Sequence, residues 1–396
     1  MAKLYGQTQG AMSGDDCASQ TRRDSRGVVS MNKVVDIEKR DYSLVGSSAQ
    51  RALELGLASA EWYRSDVPRA TMKELMRRSD APAIRDTIVW IGAILLSAAG
   101  LVYFWGSWWA APFIFVYGVL YGSSSDSRWH ECGHGTAFRT GWMNEAVYQI
   151  ASFMLMRNPV TWRWSHSRHH TDTIIVGRDV EIAVMRPPDL RRAALNFFGL
   201  VDGWRSMIAL LRNAAGVLTP DEKNFIPEAE QHKAVRAARV HVAIYAATLA
   251  LALVWRSWLP LMIIGLPRFY GCWHMVLTGL LQHGGLADNV VDHRLNSRTV
   301  YMNPISRFLY WNMNYHIEHH MFPMVPYHAL RRLHALIKHD LPPPNPSMFH
   351  AYREMIPALV RQLRYEDYFI ERKLPPTARP YREFVRSIKQ ASSAAE

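Results

Sequence analysis

The chain has 396 residues but only three cysteines, and it lacks the motifs of several large functional classes. Cys17, Cys132 and Cys272 are far apart and form no C-x-x-C pair, which argues against a disulfide framework and against a cysteine-rich zinc or iron–sulfur site. A reducing compartment fits this usage. No nucleic-acid-binding motif accompanies the formal net charge of +12, so an anionic membrane surface or an acidic protein partner explains that charge better.

The first 35 residues lack the apolar stretch of a signal peptide. They are polar and rich in Ser, Gly and Arg, so we expect a disordered tail over residues 1–35, with Met31 as an alternative start. Residues 36–86 alternate short amphipathic stretches with charges and are interrupted by Pro68 and Pro82. This pattern predicts a cytosolic cap.

Apolar residues are concentrated in four blocks. Residues 87–106 contain no charge and supply about the 20 apolar residues that a membrane-spanning helix needs. Residues 110–122 are too short to span unless their helix continues to residue 129, which we expect. Residues 240–255 and 258–281 form a second pair, and Arg268 within the last block should face the bundle interior or a polar cavity. The sequence therefore predicts two transmembrane hairpins with four helices.

Lys and Arg crowd the segments before residue 87, between 123 and 239, and after 284, whereas the two hairpin turns contribute only Arg256. By the positive-inside rule, the three basic segments and both termini lie on the cytosolic side. Residues 146–156 are apolar but too short to span, so we expect a buried or interfacial helix there. The predicted membrane domain covers residues 87–345, and residues 346–396 are predicted to be a cytosolic tail.

Eight of the 17 histidines stand in three clusters. Positions i, i+3 and i+4 share one face of a helix, so each cluster presents its imidazoles in one direction. The clusters are His130 and His134; His166, His169 and His170; and His316, His319 and His320.

Local signals place these clusters on helices. Asn158 and Pro159 form an N-cap and first helical residue ahead of the second cluster, and Pro323 stops the third. Asp126 precedes His130 by one turn and is a candidate partner for its imidazole. Three further acidic residues are candidates for orienting imidazoles or neighbouring arginines: Asp172, Asp179 and Glu318.

So many titratable groups packed together would repel one another and lose solvation unless a cation bound them, so we expect metal binding. A structural zinc takes about four ligands, usually including cysteines, whereas the clusters offer twice as many imidazoles. Two ions are implied, although imidazole suits iron, zinc, copper and nickel alike. A non-catalytic membrane metal-binding protein is the alternative of another class, but it would place ligands near the bilayer midplane.

The cluster spacings H-x-x-x-H, H-x-x-H-H and H-x-x-H-H resemble those of the membrane fatty acid desaturase family. The flanking phrases W-S-H-S-R-H-H-T-D at 164–172 and N-Y-H-I-E-H-H-M-F-P at 314–323 look much like that family's own. The resemblance implies an all-α integral membrane protein whose cytosolic helical cap holds a di-iron site. It also implies a ninth ligand, His283, whereas His274 is expected to be a polar residue of the bundle.

The family resemblance implies an oxidoreductase in which two iron ions activate O2 and a C=C double bond is introduced into an aliphatic chain. The expected substrate is a fatty acyl lipid, or a small non-lipid molecule such as dihydrorhizobitoxine, because the resemblance extends to the rhizobial enzyme for that compound. Hydroxylases and other oxygenases of the superfamily have similar clusters, so hydroxylation is an alternative outcome.

Electrons must come from elsewhere, because the sequence has no nucleotide-binding loop, iron–sulfur cysteine set or fused haem signature. We expect an external donor, ferredoxin-like or a cytochrome, and a location in a bacterial inner membrane with the histidine clusters facing the cytosol.

Overall fold

The computed structural model describes residues 40–382, and these residues belong to one compact unit. The predicted tail over residues 1–35 lies outside the described residues, as does the end of the predicted C-terminal tail. Within the described range the regular structure is helical, and only isolated β-bridges join Thr299 to Tyr315 and Val300 to Asn345. The predicted all-α class is confirmed.

The helices of residues 40–382 are numbered here in chain order. The first ten are α1 (Ser47–Glu54), α2 (Arg69–Leu75), α3 (Asp80–Tyr103), α4 (Ala110–Gly122), α5 (Ser124–Gly133), α6 (Gly141–Met154), α7 (Pro159–Thr171), α8 (Leu190–Asn196), α9 (Asp202–Ala214) and α10 (Pro220–Phe225). The others are α11 (Glu228–Val254), α12 (Leu259–Ile263), α13 (Pro267–Tyr270), α14 (Trp273–His283), α15 (His293–Asn296), α16 (Pro304–Leu309), α17 (His316–Met321), α18 (Leu330–Ile337) and α19 (Met348–Gln362). Two short 3-10 helices cover Leu57–Ser59 and Lys338–Asp340.

Two helical stretches, Arg69–Tyr103 and Glu228–Val254, are long and apolar enough to cross a membrane. They contain most of the first and third predicted spans. Their outward faces carry large apolar side chains, with Leu96 75% and Val254 78% exposed. Contiguous apolar surface of this kind marks a face that lipid or a partner covers.

The second and fourth predicted spans are not single long helices. Ser123 separates α4 from α5, and its hydroxyl donates to the Gly271 carbonyl at 2.6 Å. The fourth apolar block is divided among α12, α13 and α14, with extended backbone at Ile264 and a positive φ of 96° at Gly265. The four-helix crossing therefore stays a prediction.

The backbones of α4 and of the segment around α13 touch. A Cβ atom added to Gly271 would stand 1.9 Å from the Gly118 carbonyl oxygen, and one added to Gly122 would stand 2.3 Å from the Pro267 carbonyl oxygen. The contact fixes Arg268 beside the end of α4 that leads into the first histidine cluster. Arg268 is only 4% exposed, so the expectation that it faces the bundle interior is confirmed.

Two further segments position the site. The apolar stretch predicted to be too short to span lies in α6, a helix of 14 residues. It packs against α5, with Tyr148 and Ala151 buried and Trp142 exposed. Part of the predicted C-terminal tail forms α19, which packs against α14 through Met355 and Leu281. The domain boundaries themselves stay predictions.

Replacement of Gly271 by Ala tests the contact between α4 and the α13 segment. The added methyl group meets backbone rather than a flexible side chain, so we expect a loss of about 3 kcal/mol or more in stability. Gly92→Ala is the control, because nothing lies within 4 Å of its added Cβ and alanine favours a helix by about 0.5–1 kcal/mol. Thermal unfolding of the detergent-solubilised protein should show a lower midpoint for Gly271→Ala alone; equal midpoints would contradict the contact.

Candidate metal centre

The three clusters and His283 lie on four helices. His130 is in α5 and His134 caps its C-terminus, the second cluster is in α7, and the third is in α17. His283 is the last residue of α14. The predicted start of α7 is confirmed, because the Asn158 side chain accepts hydrogen bonds from the backbone N–H groups of Val160 and Thr161.

All nine predicted residues fall into two groups whose possible ligand atoms lie within 4.8 Å of one another. One group is His130, His134, His166, His170 and His319; the other is His169, His283, His316 and His320. The second and third clusters are each divided between both groups. Helices α7 and α17 therefore each contribute ligand atoms to both groups. The rings of His170 and His320, one from each group, stack with centroids 4.4 Å apart. Metal ligation by these residues stays a prediction.

The spacing of the Nε2 atoms suits ligands of a shared ion. The Nε2 atom of His319 lies 2.7 Å from that of His130 and 3.2 Å from that of His170. In the second group, the Nε2 atom of His316 lies 3.0 Å from those of both His283 and His320. Two nitrogen ligands at right angles, each about 2.1 Å from an ion, stand about 3.0 Å apart.

The carboxylates of Glu181 and Asp179 hold imidazoles of α7. Glu181 Oε2 lies 2.9 Å from His166 Nδ1, and Asp179 Oδ2 lies 2.7 Å from His169 Nδ1. A neutral imidazole must donate its Nδ1 proton to the carboxylate, which leaves the Nε2 lone pair directed at the group. This arrangement, carboxylate–histidine–metal, orients ligands and raises their basicity in metal sites.

The contacts around His316 are compatible with a bound cation. His283 Nδ1 donates to the Asn296 carbonyl oxygen at 2.7 Å, and His320 Nδ1 lies 3.1 Å from the Thr173 hydroxyl, whose own proton goes to a backbone carbonyl. Both imidazoles therefore present Nε2 lone pairs to His316 Nε2. A proton on His316 Nε2 can form a good hydrogen bond to only one of them, so the other 3.0 Å contact would lack a hydrogen bond. A bound ion accepts all three lone pairs, and the residues fit a metal site.

Burial, and then the neighbouring imidazoles, hold the pKa of seven of the nine histidines well below the usual value, so these are neutral at pH 7, the form that binds metal. They are His130, His134, His170, His283, His316, His319 and His320. Burial acts in the same direction on His169, but the Asp179 carboxylate raises its pKa. Burial would raise the pKa of Glu181, yet His166 holds it at about 2.

The other acidic candidates have different partners. Asp126 accepts from Arg157 Nη1 at 2.6 Å instead of from His130, so its predicted role was wrong: the side chain extends to the loop before α7. Asp172 pairs with Arg178 at 3.1 Å. In the described structure, the carboxylates that orient α7 imidazoles are therefore those of Glu181 and Asp179.

Glu318 does contact an imidazole, but that of His334, outside both groups. His274 is buried and belongs to neither group. Sequence reasoning missed Glu181. Its position two residues after Asp179, just downstream of the second cluster, was the available signal.

A cavity of about 760 Å³ reaches the candidate centre. Its wall includes the imidazoles of His130, His166 and His283, and it extends along α14 to Arg268 and α9. Its volume falls within the range of small-molecule sites. The arrangement provides room for a substrate directly against both histidine groups.

The described residues define a class: a helical protein with two apolar helices long enough to cross a membrane and buried imidazole groups compatible with a metal site. The sequence also matches the model of one known protein family. Residues 106–352, more than half of the chain, match the family described as Fatty acid desaturase. The chain belongs to the fatty acid desaturase family.

Three curated relatives agree. The chain is 25% identical over 256 residues to an endoplasmic reticulum omega-6 fatty acid desaturase of Glycine max, covering 56% of this chain and 64% of the relative. It is 25% identical over 114 residues to a sn-1 oleoyl-lipid 12-desaturase of Synechocystis, covering 29% and 32%. A bifunctional fatty acid conjugase/Delta(12)-oleate desaturase of Punica granatum is 34% identical over 116 residues, covering 26% and 29%. The matches thus span less than two thirds of each relative.

Replacement of Glu181 by Ala tests the orienting role of its carboxylate. His166 would lose its fixed tautomer, and we expect metal affinity to fall about 10- to 100-fold. Glu145→Ala is the matched control, because Glu145 is half-exposed and pairs with Arg163 on the surface. Chelator competition on the purified variants measures the affinity. Equal affinities for both variants would show that Glu181 does not support the site.

Proposed function

We propose that the protein is an O2-dependent membrane di-iron desaturase that introduces a C=C double bond into a fatty acyl chain. The convergence of nine imidazoles, six of them buried, in two adjoining groups, in a chain of the fatty acid desaturase family, carries the proposal. All three relatives are described as desaturases of fatty acids or acyl lipids. Nothing in these comparisons favours a non-lipid substrate of the dihydrorhizobitoxine kind.

The nine histidines are the proposed ligands: His130, His134, His166, His169, His170, His283, His316, His319 and His320. Two iron ions bound there would supply the oxidising chemistry that activates dioxygen. The chain's own contribution is positional. Glu181 and Asp179 hold the Nδ1 atoms of His166 and His169, which fixes the orientation of both rings, and the cavity gives the substrate room beside them.

The reaction balances with an external reductant. Reduction of O2 to two water molecules takes four electrons and four protons; the acyl chain supplies two of each as its C–C bond becomes C=C. Two electrons come from a one-electron donor protein and two protons from solvent. Exposed cationic side chains such as Arg69, Lys73 and Arg331 support an acidic donor of the ferredoxin type, with a cytochrome as the alternative.

We also propose the four-crossing arrangement, with the clusters and both termini cytosolic. The apolar outward faces of α3 and α11 support two crossings. The exposed tryptophans at both turns, Trp108 at 94% and Trp258 at 69%, suit an interfacial belt. The short α12 and the α4 segment would complete the hairpins.

Incubation with a reduced donor and ¹⁸O2 tests desaturation against hydroxylation, because the same oxidant either takes a second hydrogen or returns a hydroxyl group. The expected product is two mass units lighter than the acyl substrate and free of label. His319→Ala should give no product, because it removes a proposed ligand whose Nε2 atom lies close to those of both His130 and His170. A labelled alcohol as the main product would show that the enzyme is a hydroxylase.

Single cysteines test the membrane arrangement in a Cys17→Ser background, in which Cys132 and Cys272 are buried. Ser107→Cys and Ser257→Cys lie in the two hairpin turns, and an impermeant maleimide should label them in intact bacterial cells. Ser59→Cys, exposed in the N-terminal cap, should react only after lysis. External labelling at residue 59, or its absence at both turns, would refute the four-crossing arrangement.

A further inference from the structure

Arg268 lines the cavity that reaches the candidate metal centre. Its side chain is buried, and the backbone contact between α4 and the α13 segment holds it in place. Arginine is a permanent cation. A buried arginine in a wall of mostly apolar helices needs an anionic partner to offset its lost hydration.

The described residues do not supply that partner. Arg268 Nε donates to the Leu155 carbonyl oxygen at 3.1 Å, but its buried Nη1 has no hydrogen-bond partner. Asp126 and Asp202 act on its charge from a distance and the Cys272 thiol contacts it, but the two carboxylates pair with other arginines: Asp126 with Arg157 at 2.6 Å and Asp202 with Arg192 at 2.9 Å. Within residues 40–382 the guanidinium therefore has no carboxylate as a direct ion-pair partner.

A purely structural role accounts for only part of this arrangement. Leu155 is the C-cap of α6, and a cation near a helix C-terminus is stabilising. That role uses the Nε donor alone. It does not explain why the guanidinium lines a cavity with Nη1 buried and unpaired.

Apolar side chains of α14 line one side of the cavity between Arg268 and the metal centre. The cavity follows α14, where Met275, Val276 and Leu280 line it before His283 is reached. The eleven residues of α14 extend roughly 16 Å. A cation at one end and an oxidising centre at the other, joined by an apolar wall, match an amphiphile with an anionic head and an aliphatic chain.

We propose that Arg268 binds the oxyanion of the substrate, a fatty acid carboxylate or a lipid phosphate, and so sets which carbons of the chain lie at the metal centre. The inference rests on the proposed function and deepens it by assigning the head-group site. Arg268 is then a specificity-determining residue. Its planar guanidinium suits the two oxygens of such a group.

Equilibrium binding on the purified, metal-loaded protein tests this without turnover. The probes are radiolabelled palmitate against its methyl ester, and 1-palmitoyl lysophosphatidate against monopalmitoylglycerol. For at least one pair, the wild type should bind the anionic probe tenfold or more tightly than its neutral partner. Arg268→Gln should abolish that preference without changing affinity for the neutral probe. The pair that shows the effect identifies carboxylate or phosphate as the head group.

Arg163→Gln, which removes a half-exposed arginine, is the matched control and should bind all four probes as the wild type does. Should Arg268→Gln fail to accumulate, Arg268→Lys keeps the charge but loses the planar fork, and it should lower the preference three- to tenfold. Unchanged preference in the Arg268 variants, or no preference in the wild type, would overturn the proposal. Head-group binding without any desaturated product would instead count against the proposed function alone.

Discussion

The convergence of nine imidazoles, six of them buried and three partly buried, is the constraint on which the rest of the structure depends. Without a cation, at least one of the two 3.0 Å Nε2–Nε2 contacts around His316 would lack a hydrogen bond. Helices α7 and α17 each contribute to both histidine groups, so a change in either helix disturbs both. The carboxylates of Glu181 and Asp179, together with the backbone carbonyl of Asn296, determine which nitrogen of their partner imidazoles is free.

The same centre explains features outside it. The Gly118–Gly271 approach lets the fourth apolar segment pack directly against α4, so that α14 extends from it and ends at His283. The interruption of that segment, unfavourable for a simple span, places Arg268 at the cavity rather than towards lipid. The broken helices thus connect the apolar helix α4 to the histidine groups.

Much of this arrangement could be predicted from local sequence. The Asn158–Pro159 signal located the start of α7, and histidine spacing identified eight of the nine residues that converge, whereas His283 followed from the family resemblance. Local periodicity could not predict that one helix divides its imidazoles between two groups, since this depends on how α5, α7, α14 and α17 pack. It also failed at Asp126, because Arg157, distant in sequence, binds that carboxylate. The cavity likewise arises from tertiary packing, as does the contact of Glu181 with His166.

Metal analysis of the purified protein tests the central claim most directly. The account predicts two iron ions per chain, each associated with one histidine group. Replacing His134 by Ala should remove one ion and replacing His283 should remove the other, because each contributes to a different group. A single zinc ion per chain, or iron content unaffected by both replacements, would contradict the account.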